Sequence, residues 1–564
     1  MTTIERRAVV AGAGAWRWPE GLHPVLRQVL ERRPLASPEE LDLGLGALVP
    51  VGRFDALAPA VELLLAHRGQ PIVVVGDFDA DGATSTALML LVLRDLGFDR
   101  VGYRIPDRFR HGYGLSPELV DELGPPAPRL IVTVDNGISS HDGVARARAR
   151  GIDVLITDHH LPPEVLPEAT AIVNPNLAAS AFPGKSLAGV GVAFYLLAAL
   201  GRALGQPGAV ARYLDLVALG TVADLVKLDR SNRILVEQGL KRIRSGRCRP
   251  GIRALVEAAG ADLASVTTAT LGYQIAPRLN AAGRLDDMAE GVRCLTTESE
   301  AEARRLAATL DALNRERREL EAGMKAEALA IVDALALEGR ALPAAVCVKQ
   351  DDWHEGLVGL VAARVRERCH RPSFAFALTG AGELKGSGRS IAGFHLRDAL
   401  AEVDARHPKL IARFGGHAMA AGLTLRPDAY GDFVAALIEV SGARLDAAAL
   451  AERILSDGGL EPEHLCLEVA RLLRDAAPWG QGFPEPCFDD RFELVEQRIL
   501  KGAHLKLRLK PLSGGDAMDA IAFHATGTSW AVGTVRRVAY RLAVNDYFAD
   551  DRAELIIEHI ADAV

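Results

Sequence analysis

Three textures of apolar and polar positions follow one another along the chain. From residue 71 to 160, short apolar runs ending in polar residues alternate with helix-like stretches. The runs are IVVV at 72–75, RVGYRI at 100–105, RLIVTVDN at 129–136 and DVLIT at 153–157. Runs that are apolar on both faces predict strands buried on both sides of a parallel sheet. Residues 83–96 and the apolar stretch 210–228 read as helices. The second texture, 297–338, places Leu306, Leu310, Leu313, Leu320 and Met324 at helical spacing among many charges, behind a capping-box pattern at Thr297 and Glu300. Unbroken, it is a strut of about 60 Å. Its stripe lapses at Arg317, which predicts a connector between two lobes rather than one strand of a coiled coil. Beyond it, 345–348 and 373–378 read as strands, and 353–365 as a loop entering a helix. The third texture begins near Glu461. Alternation over 492–511 with a hairpin signal at Lys501-Gly502, then 517–525, 536–544 and 553–559, predicts a small barrel. Residues 1–70 look helical and auxiliary.

This is an α/β chain of several domains, with a β-rich end. At 49% hydrophobic and 24% charged residues, its composition is that of a globular protein. The six cysteines are scattered without a C-x-x-C pair, which argues against a zinc module or a disulfide framework and fits a reducing, cytoplasmic compartment. No signal-peptide layout opens the chain, and no apolar run approaches the roughly 20 residues of a membrane span, so no membrane partner is expected. The net charge of −8 does not advertise nucleic-acid binding. An acidic metal site would contribute to that total, however, and basic patches can coexist with it.

The chemistry gathers where the strands end. The first run leads into Asp77, Asp79 and Asp81, the third into Asp135, and the fourth into Asp158, His159 and His160. Three strand ends of one kind, each separated by a helical stretch, predict parallel strands delivering ligands to one sheet edge. Carboxylates that close repel one another, and a divalent cation removes the conflict. A calcium-binding hand is excluded by the missing acid at the end of a twelve-residue loop and by strand–helix flanks. Asp224, between Ala223 and Leu225, is a lone acid in an apolar stretch and needs a cation or a donor. The loop PDRFRHGYGLS crowds Arg108, Arg110, His111 and Tyr113 between glycines and suits a phosphate or a stacked base. Further on, SGRS and FGGH each pair glycines with one cation or potential cation, Arg389 and His417; Arg389 can grip phosphate in a fork.

In order and spacing, GDFDADG, VTVDNG, TDHH and GTVADLV resemble the DHH family of phosphoesterases. Downstream, TLGYQIAPRLNAAGRLDD resembles a signature of the family's exonuclease branch, and LKGSGRS and RFGGHAMAAGL resemble the DHH-associated domain. Asp77 stands where many small-substrate members carry histidine, which favours the nuclease branch. The resemblance implies an auxiliary segment 1–45, a DHH catalytic domain 46–295, a connecting helix 296–340, a DHH-associated α/β domain 341–445 and an OB-fold-like domain 455–564. It implies two divalent cations held by Asp77, Asp79, Asp81, Asp135, His159 and Asp224, with Asp135 as bridge. An oxygen-rich set with imidazole and no thiolate suits Mn²⁺ or Mg²⁺ better than zinc. Asp135, His159 and His160 are the expected catalytic residues, with His160 facing the phosphate or leaving group and Asp158 orienting a histidine. Substrate contacts are expected from Arg108, Tyr113, Arg278, Asn280, Arg284, Ser387, Arg389, Gly415, Gly416 and His417, and on the barrel from Lys501, Lys506 and Arg508. The implied activity is metal-dependent 5′→3′ hydrolysis of single-stranded DNA to mononucleotides in repair and recombination. A slot between two lobes would exclude duplexes. A monomer is expected, with a helicase or a single-strand-binding protein as candidate partner. The competing readings are a phosphodiesterase for short oligonucleotides or cyclic dinucleotides, and an inactive scaffold in a replication assembly. Intact acids at all four motifs argue against the scaffold.

Overall fold

A computed structural model describes residues 2–337, 342–500, 502–523, 525, 530–545 and 551–561. The chain forms two compact units. One joins Arg6–Asn314 to Leu455–Val564, and the other is built around Arg315–Ile454.

The larger unit is organised by a five-stranded, all-parallel sheet in the spatial order Val101–Arg104, Ile72–Val75, Leu130–Val134, Asp153–Thr157, Ala171–Val173. Alternate side chains feed two cores. Ile72, Val74, Leu130, Val132 and Leu155 belong to one cluster, and Val75, Ile131, Val154 and Ile156 to another. Burial on both faces is why these runs read as continuous apolar stretches. The chain leaves the first strand toward one neighbour and later returns to its other side, so the order reverses between Ile72–Val75 and Leu130–Val134. Open α/β sheets bind ligands in the crevice outside the carboxyl ends of the strands at such a switch point.

Helix Ala80–Asp95 follows the first strand and is buried on all sides from Ala80 to Leu93. Both of its threonine hydroxyls are satisfied within the helix: Thr84 donates to the carbonyl of Ala80 at 2.9 Å and Thr86 to that of Gly82 at 2.7 Å, whereas the buried Ser85 hydroxyl meets no hydrogen-bond partner. Helices Gly189–Ala203 and Leu214–Ala223 pack against it.

The C-terminal strands close a five-stranded barrel in the order Phe488–Leu500, His504–Pro511, Met518–Ala522, Arg552–Ile560, Val535–Asn545. Its interior residues Phe488, Phe492 and Tyr540 share one continuous apolar core with Ile72, Val190 and Leu216. The barrel is therefore part of the larger unit's body. The first 70 residues depart from the expected auxiliary helices. Beyond helices Pro24–Leu30 and Leu57–Ala66 they are mostly single 3₁₀ turns. They are also built in: Arg33, fully buried, meets both carboxylate oxygens of buried Asp457 at 2.6 and 2.8 Å.

Helix Glu300–Leu337 is continuous, and the division between units falls within it. Its cap differs from the expected box: the Oγ of Ser299 accepts from the Glu302 N–H at 3.3 Å, while Thr297 accepts from Ser299 one turn earlier. The smaller unit holds a mixed sheet in the order Arg413–Gly416, Ala420–Leu425, Leu384–Arg389, Ser373–Leu378, Val346–Lys349. The glycines of SGRS and FGGH thus lie in or beside strands. A Cβ at Gly386 or Gly388 would fall 2.3–2.4 Å from the rings of Phe376 and Phe374, so packing alone demands glycine there.

Candidate metal centre

The expected metal ligands come from four pieces of backbone: Asp77, Asp79 and Asp81 from the passage of strand Ile72–Val75 into helix Ala80–Asp95, Asp135 and His159 from the ends of strands Leu130–Val134 and Asp153–Thr157, and Asp224 from the C-terminal cap of helix Leu214–Ala223. Asp79 is the N-cap of helix Ala80–Asp95: one of its oxygens accepts from the Gly82 N–H at 3.0 Å. Asp81, in the first turn, points the other way. Its two oxygens accept from the N–H groups of Gly189 (2.6 Å) and Val190 (3.0 Å), which open helix Gly189–Ala203. Asp135 ends the Leu130–Val134 strand with φ 62°, a left-handed conformation that side chains other than Asn and Asp rarely adopt. Its amide donates to the Thr157 carbonyl at 3.0 Å, and its carbonyl accepts from the Tyr113 hydroxyl at 3.1 Å.

Asp158 is a hub rather than a ligand. It accepts from the amides of Ile138, His159 and His160 at 2.9, 2.7 and 3.1 Å, and from the Nδ1 of His160 at 2.7 Å. Asn174 and Asn176 then fasten the histidines from behind, donating to the carbonyls of His160 (2.8 Å) and His159 (2.6 Å). These two asparagines were missed from sequence, although VNPN repeats the apolar-strand-then-polar pattern a fourth time.

The side chains converge in three overlapping groups: Asp77, Asp79 and Asp135; Asp135, His159 and His160; Asp81, His159 and Asp224. In each, one donor atom per residue lies within 4.8 Å of the others. Asp135 and His159 each belong to two groups. Burial, reinforced by the neighbouring acids, holds the carboxyls of Asp77, Asp81 and Asp135 well above the ordinary aspartate range. Burial likewise raises Asp224 and lowers the His159 imidazole. Burial opposes charge on His160 too, but the hydrogen bond and charge of Asp158 outweigh it and bring the imidazole to about 9.

A cation fits this arrangement. The Oδ1 atoms of Asp77 and Asp135 and the Nε2 of His159 are buried without a hydrogen bond, although His159 Nε2 lies 3.1 Å from Asp135 Oδ1. Donors aimed at one another's neighbourhood and left unmet are expensive unless a third, positive species joins them. The donors are carboxylate oxygens and imidazole, the set that hard divalent ions take.

The other expected site residues divide by unit. Arg108 lies over the Phe78 ring at 4.0 Å, and Tyr113 also meets the Nδ1 of His160 at 3.2 Å. Arg278 is buried in an ion pair with Asp311 (2.9 Å) and donates to the Gln274 carbonyl. Asn280 accepts from the Ala80 N–H at 2.8 Å, so it holds the start of the first-motif helix. Arg284 is half-buried in the last turn of helix Ala276–Leu285. In the smaller unit, Arg389 is half-buried beside Ser387 (3.2 Å). Gly415 and Gly416 lie on strand Arg413–Gly416, with exposed His417 next in sequence. On the barrel, Lys506 is turned into an ion pair with Glu554, while Arg508, half-exposed, stands 4.0 Å from Asp519. Lys501 lies outside the described residues.

A switch-point crevice lined by buried carboxylates and imidazoles with unmet lone pairs defines a divalent-metal centre of the kind that hydrolyses phosphate esters. Family models agree with that class: DHH family, N-terminal domain matches residues 71–221, the DHHA1 domain 342–442 and the RecJ OB domain 456–559. The chain is 50% identical over 558 residues to the single-stranded-DNA-specific exonuclease RecJ of Dickeya dadantii, covering 96% of each chain. It is 49% identical over 556 residues to the Escherichia coli protein of the same name, again 96% of each. The crystal structure of RecJ from Thermus thermophilus in complex with Mn²⁺ superposes with a TM-score of 0.79 at 32% identity, covering 95% of this chain and 76% of that one. Its Mg²⁺ complex gives 0.75 at 30%, covering 96% and 75%. This chain belongs to the RecJ family. The expected resemblance, the α/β class and the OB-like barrel all hold.

Proposed function

We propose that this protein is a metal-dependent exonuclease that degrades single-stranded DNA from the 5′ end to mononucleotides. One observation carries the reading: a complete set of unmet carboxylate and imidazole donors, shared through Asp135, stands at the sheet's switch point in a chain so close to named single-strand exonucleases. Asp77, Asp79, Asp81, Asp135, His159 and Asp224 would hold two divalent cations, Mn²⁺ or Mg²⁺. Bound there, the cations supply an activated water and stabilise negative charge developing on the phosphate. Asp158 fixes the His160 ring through Nδ1 and keeps it charged, so Nε2 can hold a proton against a phosphate or leaving oxygen. Arg108 and Tyr113 would grip the nucleotide next to the cations. Arg284, Ser387, Arg389, Gly415, Gly416 and His417 are further candidates for the strand. For Arg278 and Asn280, an indirect role fits better, since their polar groups already serve Asp311 and Ala80.

On the barrel, exposed Phe523 meets the His504 ring edge-to-face at 5.2 Å, with exposed Ile499 on the adjoining hairpin. Such surfaces stack bases without reading sequence. The metal ligands all come from one chain, which supports action as a monomer. A substrate that must be unpaired supports supply by a helicase or hand-over from a single-strand-binding protein, in DNA repair and recombination. Six unpaired cysteines support a cytoplasmic site. Among the described residues, no helix is long and apolar enough to cross a membrane.

The test is digestion of end-labelled linear single strands, blunt duplexes and circular single strands with Mn²⁺, Mg²⁺ or chelator. Metal-dependent release of the 5′ label as mononucleotide, with duplexes and circles resistant, is expected. Efficient cutting of circles, or early release of a 3′ label, would overturn the exonuclease reading or its polarity.

A further inference from the structure

The loop that carries Arg108 and Tyr113 has a fastening that neither the metal centre nor the strand requires directly. Residues 107–111 form a tight turn. The Oδ1 of Asp107 accepts from the amides of Phe109 (2.7 Å) and Arg110 (3.1 Å), and the His111 amide donates to the Asp107 carbonyl at 2.8 Å. The His111 side chain then folds back over this turn and is only 6% exposed, unusual for an imidazole in a glycine-rich surface loop. Its Nδ1 accepts from the Asp107 N–H at 3.0 Å. A backbone amide can only donate, so Nδ1 is the bare nitrogen and Nε2 carries the hydrogen. Nε2 gives that hydrogen to Glu122 Oε1 at 3.3 Å, on the far side of the loop just past helix Pro117–Asp121. Arg110 reaches the same carboxylate at 2.5 Å but is 68% exposed, so the pattern of cations that suggested phosphate binding splits. Arg108 sits over Phe78, between the ligands Asp77 and Asp79, while Arg110 and His111 serve the loop itself.

Tyr113 follows, bracketed by Gly112 (φ 73°) and Gly114 (φ 78°). Two left-handed glycines let the chain swing the phenol back to the Asp135 carbonyl and His160. They also make the segment soft, because glycine holds no conformation by itself. Something else must fix where Arg108 and Tyr113 stand.

We propose that His111 is a positioning residue for substrate binding: by bridging the Asp107 amide to Glu122, it holds the 107–114 loop so that Arg108 and Tyr113 are presented beside the metal ligands. This rests on the exonuclease reading above. His111 touches neither the metal ligands nor the strand, so its loss is felt as weakened capture rather than slowed chemistry.

The test uses the full-length protein with Mn²⁺ and a linear single-stranded oligonucleotide. For His111→Ala we expect KM to rise about tenfold with kcat within about threefold, the scale of one or two lost hydrogen bonds. The slope of log affinity against log salt should become shallower by up to about one unit, as the Arg108–phosphate contact loosens. The Mn²⁺ concentration for half-maximal activity should not move. His111→Asn should recover part of the KM and no more than Glu122→Ala retains, because its amide oxygen can accept from the Asp107 N–H but its shorter side chain does not reach Glu122. In an Arg108→Ala background the His111→Ala effect should shrink to less than about twofold, since residues acting through one another are not additive. Should His111→Ala fold poorly, Glu122→Ala removes the other end of the bridge from the surface and should raise KM in the same direction. A full, additive effect in the Arg108→Ala background, a fall in kcat at constant KM, or a shifted Mn²⁺ midpoint would each overturn the proposal. An unmutated protein inactive on single strands would sink the exonuclease reading instead, so the two failures are distinguishable.

Discussion

Gly189 offers the sharpest test of how the metal centre is built. It is the first residue of helix Gly189–Ala203, and its missing side chain is what lets that helix approach the site. A Cβ there would stand 2.5 Å from the Cβ, 2.6 Å from the Oδ1 and 2.7 Å from the Cγ of Asp135. Ordinary contact between such atoms needs about 3.5 Å or more, so Gly189→Ala must move something by about 1 Å. Neither side can yield freely. If the helix retreats, the Gly189 and Val190 amides lose the two oxygens of Asp81, held at 2.6 and 3.0 Å. If Asp135 retreats, its left-handed backbone must shift against the Thr157 carbonyl and the Tyr113 hydroxyl that pin it. The fold should lose about 1–3 kcal/mol, the usual cost of overpacking. The activity loss should be larger: a displacement of about 1 Å in a catalytic group costs on the order of 100-fold. We therefore expect kcat/KM on single-stranded DNA to fall at least about 100-fold, with Mn²⁺ affinity weakened and a cooperative melt retained. Gly191→Ala is the control on the same helix. The three atoms nearest its Cβ would all belong to the Leu187 side chain, and the one tight contact, 3.1 Å to the terminal Cδ2, can be relieved by a small rotation. A Gly189→Ala enzyme with near-normal turnover and Mn²⁺ dependence would refute the claim that this close approach sets the ligand geometry.

Three other outcomes follow from the same structure. The carboxyls of Asp77, Asp81 and Asp135 lie above their unfolded value of 3.8, so the metal-free fold keeps protons that the unfolded chain has released. That part of apo stability is lost as pH rises from about 4 through the raised values, and a bound cation removes the penalty. The gap in Tm between Mn²⁺ and chelator should widen with pH across that window, and a constant gap would count against the burial argument. The second outcome concerns Arg33 and Asp457, both fully buried: Arg33→Met should destabilise the protein by about 3 kcal/mol in urea, because it leaves the buried carboxylate to Arg7 at 3.3 Å and the Cys487 amide at 3.1 Å without its bidentate partner. Removing the chain from Glu461 onward should lower the melting temperature of the larger unit, since the barrel shares its core. A truncated protein that melts in Mn²⁺ at the full-length temperature would contradict that reading.

How much of this was legible in the sequence depended on whether a residue's job is local. The strands, the acids at their ends and the DHH pair could be read because burial on both faces and a polar strand end leave a mark within a few residues. Asp158 was read as orienting a histidine for the same reason: it is the neighbour in sequence of what it holds. What stayed hidden was every contact made across the fold. Asn280 lies 200 residues from the Ala80 amide it caps, and Gly189 more than 50 residues from Asp135. Arg278 looked like a free cation because Asp311 is a full segment away, on the long helix. The glycines of LKGSGRS carry the opposite lesson. Glycine beside arginine reads as an anion cradle, yet the neighbouring strand supplies Phe374 and Phe376, whose rings occupy the space a Cβ would need. The two explanations make different demands: a cradle needs the backbone N–H groups, whereas packing needs only the absent side chain. In this sheet the Gly386 and Gly388 positions are already paired with Phe376 and Phe374 across the strands, so the packing demand alone accounts for the glycines. If this segment binds phosphate as proposed, it would do so through the side chains of Arg389 and Ser387, not through the glycine pattern beside them.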